Sequence, residues 1–298
     1  MQQHSRERVY VRAIAWRADL QLRILNIRFK VVAMYRKEQR EGAERFYRLI
    51  TQSSRSVPAA SDGQAEDTPT ADDAALTPSE FNLWCAVARL RAQYEWSQRN
   101  GMIDIIEGLG LPRTVDYLTL YYGGRAVDDI PTSAVFKAET GPGRLAFIHL
   151  RKIEKIRDKH LGLKHARSLD KLFAKNKPVA TRTFKKLQRL QPAVETEDPY
   201  IAGILIALAQ EQRQARGRAS AERVRAIALP YLKHFSTKAY FYTACIPKAF
   251  LDRLERPWEA GECDEVTVRY GGISLKDEEA ALQCFRKFLD GTVHRTDE

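Results

Sequence analysis

The stretch Tyr200-Ile-Ala-Gly-Ile-Leu-Ile-Ala-Leu-Ala209 limits the fold more than any other part of the chain, because every side chain in it apart from Gly203 is apolar. A helix that is apolar all round must be covered on more than one face. Its start is marked by Asp198 as an N-cap and by Pro199, whose fixed φ suits the first helical position. Glu195 and Glu197 lie where the positive end of the helix dipole favours acids. The polar tail Gln210-Glu-Gln-Arg-Gln214 is expected to emerge into water.

The residues after this helix read as its cover. Glu222–Leu229 and Ala239–Ile246 are short and rich in β-formers, and Pro230 lies between them, which predicts two strands paired antiparallel. Pro247 ends the second, residues 248–254 suit a short helix, and Val266–Tyr270 suits a third strand. Residues 276–289 form a closing helix with Ala281, Leu282, Phe285, Phe288 and Leu289 inside. The order α-β-β-α-β-α predicts an α+β fold, a small mixed sheet packed around a buried central helix, with a mainly helical N-terminal half.

Upstream, Thr77-Pro-Ser-Glu80 is a capping box that opens a helix through Trp96, with Leu83, Val87, Leu90 and Tyr94 on its inner face. Gly101, Gly108, Gly110 and Pro112 then read as breaks. Val115–Tyr122, ending at Gly123-Gly124, suits a strand or a short helix. In the first fifty residues Val9, Ala13, Trp16, Leu20, Ile24, Ile27, Val31 and Met34 recur at steps of three and four, so residues 1–50 are expected to form a basic amphipathic helix. Packing on the body or on a partner protein is the plain reading of that stripe. A matrix-targeting segment and a helix lying on an anionic membrane are the alternatives. Residues 51–77, poor in basic residues and rich in Ser, Ala, Pro, Thr and Asp, are expected to form a disordered acidic linker. The body then runs over 78–298, with a basic segment at 151–191 and a core at 195–289.

The chain carries 49 Lys and Arg against 38 Asp and Glu, a net +11. Fourteen basic residues against Glu154, Asp158 and Asp170 give the 151–191 segment the same +11, so the excess is local. Apolar stripes place these cations on helices with basic backs. A surface of that kind meets phosphates, or else is a solvated face beside the acidic linker. Lys171, Lys175, Arg182, Lys185, Lys186 and Arg189 are the candidate phosphate-binding residues. Aromatic residues there are few, Phe173 and Phe184 both at stripe positions, so a base-stacking platform for single strands is not indicated.

Signatures of catalysis are absent. There is no G-x-x-x-x-G-K phosphate loop, no G-x-S-x-G elbow and no H-E-x-x-H pair. His160 and His165 are five apart and so do not share a helical face as ligands. The element order suggests nuclease-like cores, but no lysine follows an acid by two positions, as their metal-binding pattern requires. No metal or cofactor is expected. Cys85, Cys245, Cys263 and Cys284 form no C-x-x-C pair, and the apolar settings of Cys85, Cys245 and Cys284 suggest small core residues in a reducing compartment. No apolar run is long enough to span a bilayer. An intracellular setting, nucleus or cytoplasm, with the mitochondrial matrix as the alternative, follows.

The residues Asp198-Pro-Tyr-Ile-Ala-Gly-Ile-Leu-Ile-Ala-Leu-Ala-Gln210, with Tyr240-Phe-Tyr-Thr-Ala-Cys-Ile-Pro247 and Ala249-Phe-Leu-Asp252, resemble a group of filamentous-fungal hypothetical proteins over roughly 173–270. The resemblance implies a compact α+β core and carries no activity. The sequence therefore points to a non-enzymatic protein that contacts an acidic partner, nucleic acid first, through its basic helical segment. Two alternatives remain open. One is an enzyme of unrecognised type with a site near Glu211, Tyr242, Asp252 and Asp264. The other is an interaction protein using the N-terminal stripe.

Overall fold

The computed structural model describes residues 12–32, 78–137, 144–163, 167–216, 221–230, 237–259 and 263–290. The acidic linker over 51–77 and most of the N-terminal stripe lie outside the described residues. Seven strands form one sheet: β1 (Ile27–Val31), β2 (Arg113–Tyr122), β3 (Arg125–Lys137), β4 (Arg144–His149), β5 (Glu222–Leu229), β6 (Lys238–Ile246) and β7 (Val266–Ser274), in the order β1-β7-β6-β5-β4-β3-β2. The β1–β7 and β4–β5 pairs are parallel and the rest antiparallel. Helices α1 (Pro78–Leu90), α2 (Glu95–Gly108), α3 (Leu150–His160), α4 (Arg167–Lys175), α5 (Lys177–Leu190), α6 (Pro199–Arg216), α7 (Lys248–Glu255) and α8 (Glu278–Asp290) complete the body.

The mixed α/β character matches the sequence reading, but the sheet is larger than expected, and α6 lies on one of its faces rather than at the centre of a small sheet. Alternating strand residues divide the core in two. Ala146, Ile148, Val224, Ala226, Ala228, Tyr242 and Val268 pack with α6, and Phe136, Phe147, Ile227, Phe241 and Ile273 pack with α1, α2 and α8. With both faces covered, the inner strands lose the polar alternation that marks a half-exposed strand. The expected pairing of β5 with β6 holds from Glu222 opposite Ile246 to Ala228 opposite Tyr240.

Among the described residues the N-terminal half is not mainly helical, since it supplies four strands, β1 to β4, beside α1 and α2. The predicted helical stripe breaks over its described part. Short turns span Ala13–Ala15, Ala18–Leu22 and Arg23–Leu25, Asn26 adopts a left-handed conformation, and β1 follows along β7. These turns cover the outer side of α6. An ideal Cβ at Gly203 would stand 3.0 Å from that of Ala13 and 3.8 Å from the Trp16 ring, so a residue with no side chain lets the segment sit on the helix. Asp128 of β3 accepts a hydrogen bond from Ala13 N at 2.9 Å.

Several local expectations change as well. The helix predicted through Trp96 stops at Leu90, and Tyr94 points outward, 63% exposed, while Leu83, Val87 and Leu90 are buried. Gly101 is not a break. It lies inside α2 where an added Cβ would meet Ala86 O at 2.6 Å, so it permits the close approach of α1. Gly123 and Gly124 do form a turn, both with positive φ, in the two-residue hairpin from β2 to β3. Cys284 is buried, but Cys245 is exposed, and no disulfide joins any of the four cysteines among the described residues. The polar tail of α6 does not simply enter water. Gln210 exchanges hydrogen bonds with both backbone groups of Tyr121 at 2.9 and 2.8 Å, and Arg213 pairs with Asp252 and Glu255. Among the described residues no helix is long and apolar enough to cross a membrane.

The start of α6 is fixed by a buried ion pair. Asp198 Oδ1 accepts from Tyr200 N at 2.9 Å, as the cap reading requires, and also from Arg157 of α3 at 2.5 Å, with both side chains 4% exposed. The Tyr200 hydroxyl donates to Pro131 O at 2.8 Å, joining the same turn to β3. Removing one member of such a pair leaves an unpaired buried charge. Arg157→Met should therefore lower stability by about 3–5 kcal/mol in urea unfolding, and adding Asp198→Asn should recover part of that loss.

Candidate anion-binding surface

Between β4 and its parallel neighbour β5 the chain makes a long excursion through α3, α4, α5 and α6. The basic segment lies inside this crossover. Asn176 separates α4 from α5 and caps the latter, its Oδ1 accepting from Val179 N at 3.2 Å, with Pro178 in the first turn. Phe173 and Phe184 meet edge to face at 6.5 Å and tie the two helices together, while Ala180 and Leu190 bury the inner side of α5.

All six candidate residues lie on this hairpin, and all six are exposed. Lys171 and Lys175 are one turn apart on α4. Arg182, Lys185, Lys186 and Arg189 follow at i, i+3, i+4 and i+7 on α5, forming one stripe about 10 Å long at 1.5 Å per residue. None of the six has an ion-pair partner among the described residues. Beside the stripe a groove of about 400 Å³ is lined by Arg17, His160, Thr183, Lys186 and Arg189. The structure thus brings Arg17, from the N-terminal turns and paired with Asp19, and His160, from the end of α3, beside the stripe.

The cations of α3 are used differently. Arg157 holds Asp198, Lys155 pairs with Glu95 of α2, and Lys152 donates to the carbonyl of Thr132. Around them is a second concavity of about 380 Å³, lined by Glu95, Arg99, Ser133, His149, Lys152, Lys155, Ile156 and Lys159. Arg99 donates to Ser133 O and to Asp116, both at 3.0 Å. Burial alone would raise Glu95, but the hydrogen bond from Lys155 and the nearby charges of His149, Lys155 and Arg151 hold it below the ordinary glutamate value. Burial lowers Lys152, with Asp116 opposing the shift.

His149 closes the inner wall and is only 2% exposed. Gln98 Nε2 donates to Ala92 O at 2.7 Å, so Gln98 Oε1 faces His149 Nε2, 2.5 Å away. That arrangement puts the imidazole proton on Nε2 and leaves Nδ1 as an acceptor, and Nδ1 has no hydrogen-bond partner among the described residues. The His149 amide donates to Ser133 Oγ at 3.1 Å. Sequence reading missed this cleft because its residues come from α2, β3, β4 and α3. The one local signal was His149 itself, a histidine at the junction of the apolar Leu145–Ile148 and the amphipathic helix that follows.

In the alternative group of Glu211, Tyr242, Asp252 and Asp264, two members are engaged by other residues. The Tyr242 hydroxyl donates to Thr196 O at 2.9 Å, and Asp252 is bound to Arg213. Among the described residues no three His, Cys, Asp or Glu side chains are placed to hold a metal ion. Glu197 at the start of α6 accepts from the Tyr270 hydroxyl at 2.9 Å, a contact beyond the dipole role read from sequence. No family model, curated protein or solved structure matches the chain.

Burial lowers the His149 pKa from 6.5 to about 4, while Glu95 pulls it up and Lys155 and Arg151 push it down. The unfolded chain therefore takes up this proton at higher pH than the native protein does. Stability from the neutral imidazole is complete above about pH 6.5 and is lost as the pH falls toward 4, by about 3 kcal/mol in all. A His149→Gln variant cannot titrate there, so its stability difference from the wild type in urea unfolding should shrink by that amount between pH 7 and pH 4.

Proposed function

We propose that this protein binds the phosphate backbone of nucleic acid through the α4–α5 hairpin and the groove beside it, without reading sequence. The observation that carries the proposal is the state of the six hairpin cations: all are exposed, and none is neutralised by a carboxylate among the described residues. Structural cations usually find acids, as Arg157 and Arg213 do here. A row of uncompensated cations on one helical face, with a groove beside it, suits a polyanion. Phosphate contacts of this kind fix position and supply affinity but carry no base identity. The thin supply of aromatic residues on the hairpin agrees with backbone contact rather than base stacking. Such a partner suits an intracellular setting, nucleus or cytoplasm, with the mitochondrial matrix as the alternative. Membership of the filamentous-fungal group suggested by the α6 and β6 residues belongs to the same reading and adds no activity to it.

The test is binding of a labelled random-sequence duplex across a salt series, beside the variant Lys185→Glu, Lys186→Glu, Arg189→Glu. The wild type should show a steep fall of log K with log salt. The variant should show a slope shallower by about 3, one for each phosphate contact removed. Because all three side chains are exposed, near-UV circular dichroism should stay native. Unchanged affinity in a variant with a native spectrum removes the reading.

A further inference from the structure

The cleft at the start of α3 has features that a solvated basic face does not need. The first turn of α3, a helix of 11 residues, has no side-chain cap, so its backbone N–H groups take no partner from the N-cap side chain, the arrangement that favours an anion. Lys152 is half-buried and bonded to a carbonyl rather than to a carboxylate, so its charge is hydrogen-bonded but not paired. Arg99, Lys155 and Lys159 line the same space, facing the carboxylates of Glu95 and Asp116. The cleft lies beside the carboxyl end of β4, with Ser133 of β3 and His149 of β4 on its wall. The independent observation is His149: 98% buried, on the cleft wall, its tautomer set by Gln98, its Nδ1 an acceptor without a partner among the described residues.

These groups together specify a ligand. It must offer anionic oxygens to Lys152 and the helix N-terminus and a hydrogen-bond donor to Nδ1. A carboxylate and a sulfate have no proton to give at neutral pH, and a phosphodiester has no ionisable hydroxyl. A phosphate monoester has both, since its second pKa is about 6 and a fraction carries P–OH at neutral pH. We propose that the cleft between α2 and the start of α3 binds a phosphate monoester group, its oxygens on Lys152 and the first-turn amides and its hydroxyl on His149 Nδ1. The site is separate from the hairpin stripe and does not depend on it. Lys159 faces the cleft, while His160 faces the hairpin groove.

The experiment follows the His149 imidazole nitrogens by NMR in the full chain during titration with inorganic phosphate, a nucleoside 5′-monophosphate and, separately, sulfate. Phosphate and the monophosphate should saturate and move the Nδ1 resonance, and sulfate at the same concentrations should not. Lys152→Gln should weaken phosphate binding about tenfold or more, the cost of losing one charge-assisted hydrogen bond. The triple hairpin reversal should leave phosphate binding unchanged, so failure of the hairpin reading and failure of this one are separable. In that hairpin variant, 5′-phosphorylated and 5′-hydroxyl oligonucleotides identify the source. A shift only with the phosphorylated strand assigns the site to strand ends, and a shift only with the mononucleotide assigns it to a small metabolite. Equal response to sulfate and phosphate, an unmoved Nδ1 resonance, or full affinity in a folded Lys152→Gln protein overturns the proposal.

Discussion

The buried pair between Arg157 and Asp198 is the constraint on which the rest of the arrangement depends. It joins residues 41 apart in sequence, one on α3 and one at the cap of α6, and so closes the excursion that carries the α4–α5 hairpin. Both charges are removed from water, which is tolerable only because Asp198 also receives the Tyr200 amide. Tyr200 extends the link to β3 through Pro131 O, and Tyr242 and Tyr270 hold the turn just before it through Thr196 and Glu197. The hairpin is therefore attached at both ends to elements that cannot shift without exposing a buried charge. A rigid base of this kind lets a pair of short helices hold its cations in a fixed row.

The apolar run from Tyr200 to Ala209 was legible because nothing but burial explains nine apolar side chains in ten residues of a charged chain. The strands β5 and β6 were legible because proline and turn residues bound them. Three other strands were not. In β4 six residues lie between two covered faces, so the segment lacks alternation and merges in sequence with the helix after it. β3 carries Asp128, Asp129 and Pro131 within one strand, residues that ordinarily argue against a strand. In β1 the residues Ile27 and Val31 satisfy a helical step of four and a strand step of two at once, and Phe29 between them supports only the second. The parallel partner β7 decides the outcome, and no local pattern could supply it.

The candidate surface divides along the same line. Its six hairpin cations follow from counting charges and assigning a helical period, because both operations are local. The cleft beside α3 was hidden, since Gln98, Ser133, His149 and Lys152 become neighbours only when α2, β3 and β4 meet.

Local charge excess is an incomplete guide to a binding surface, because the fold spends some of the charge on itself. The segment from 151 to 191 carries a net +11, yet Arg157 and Lys155 are committed to Asp198 and Glu95. What remains free to meet a partner is concentrated on α5 and the groove next to it. A charge held in a buried pair is offset by its neighbour at close range and contributes little field outside, whereas an exposed uncompensated row acts over about a Debye length, roughly 8–10 Å at moderate salt. Position within the crossover, rather than the count of lysines and arginines, thus decides which cations stabilise the fold and which are available to an anion. The last turn of α3 marks the division, with Lys159 turned to the cleft and His160 to the hairpin groove.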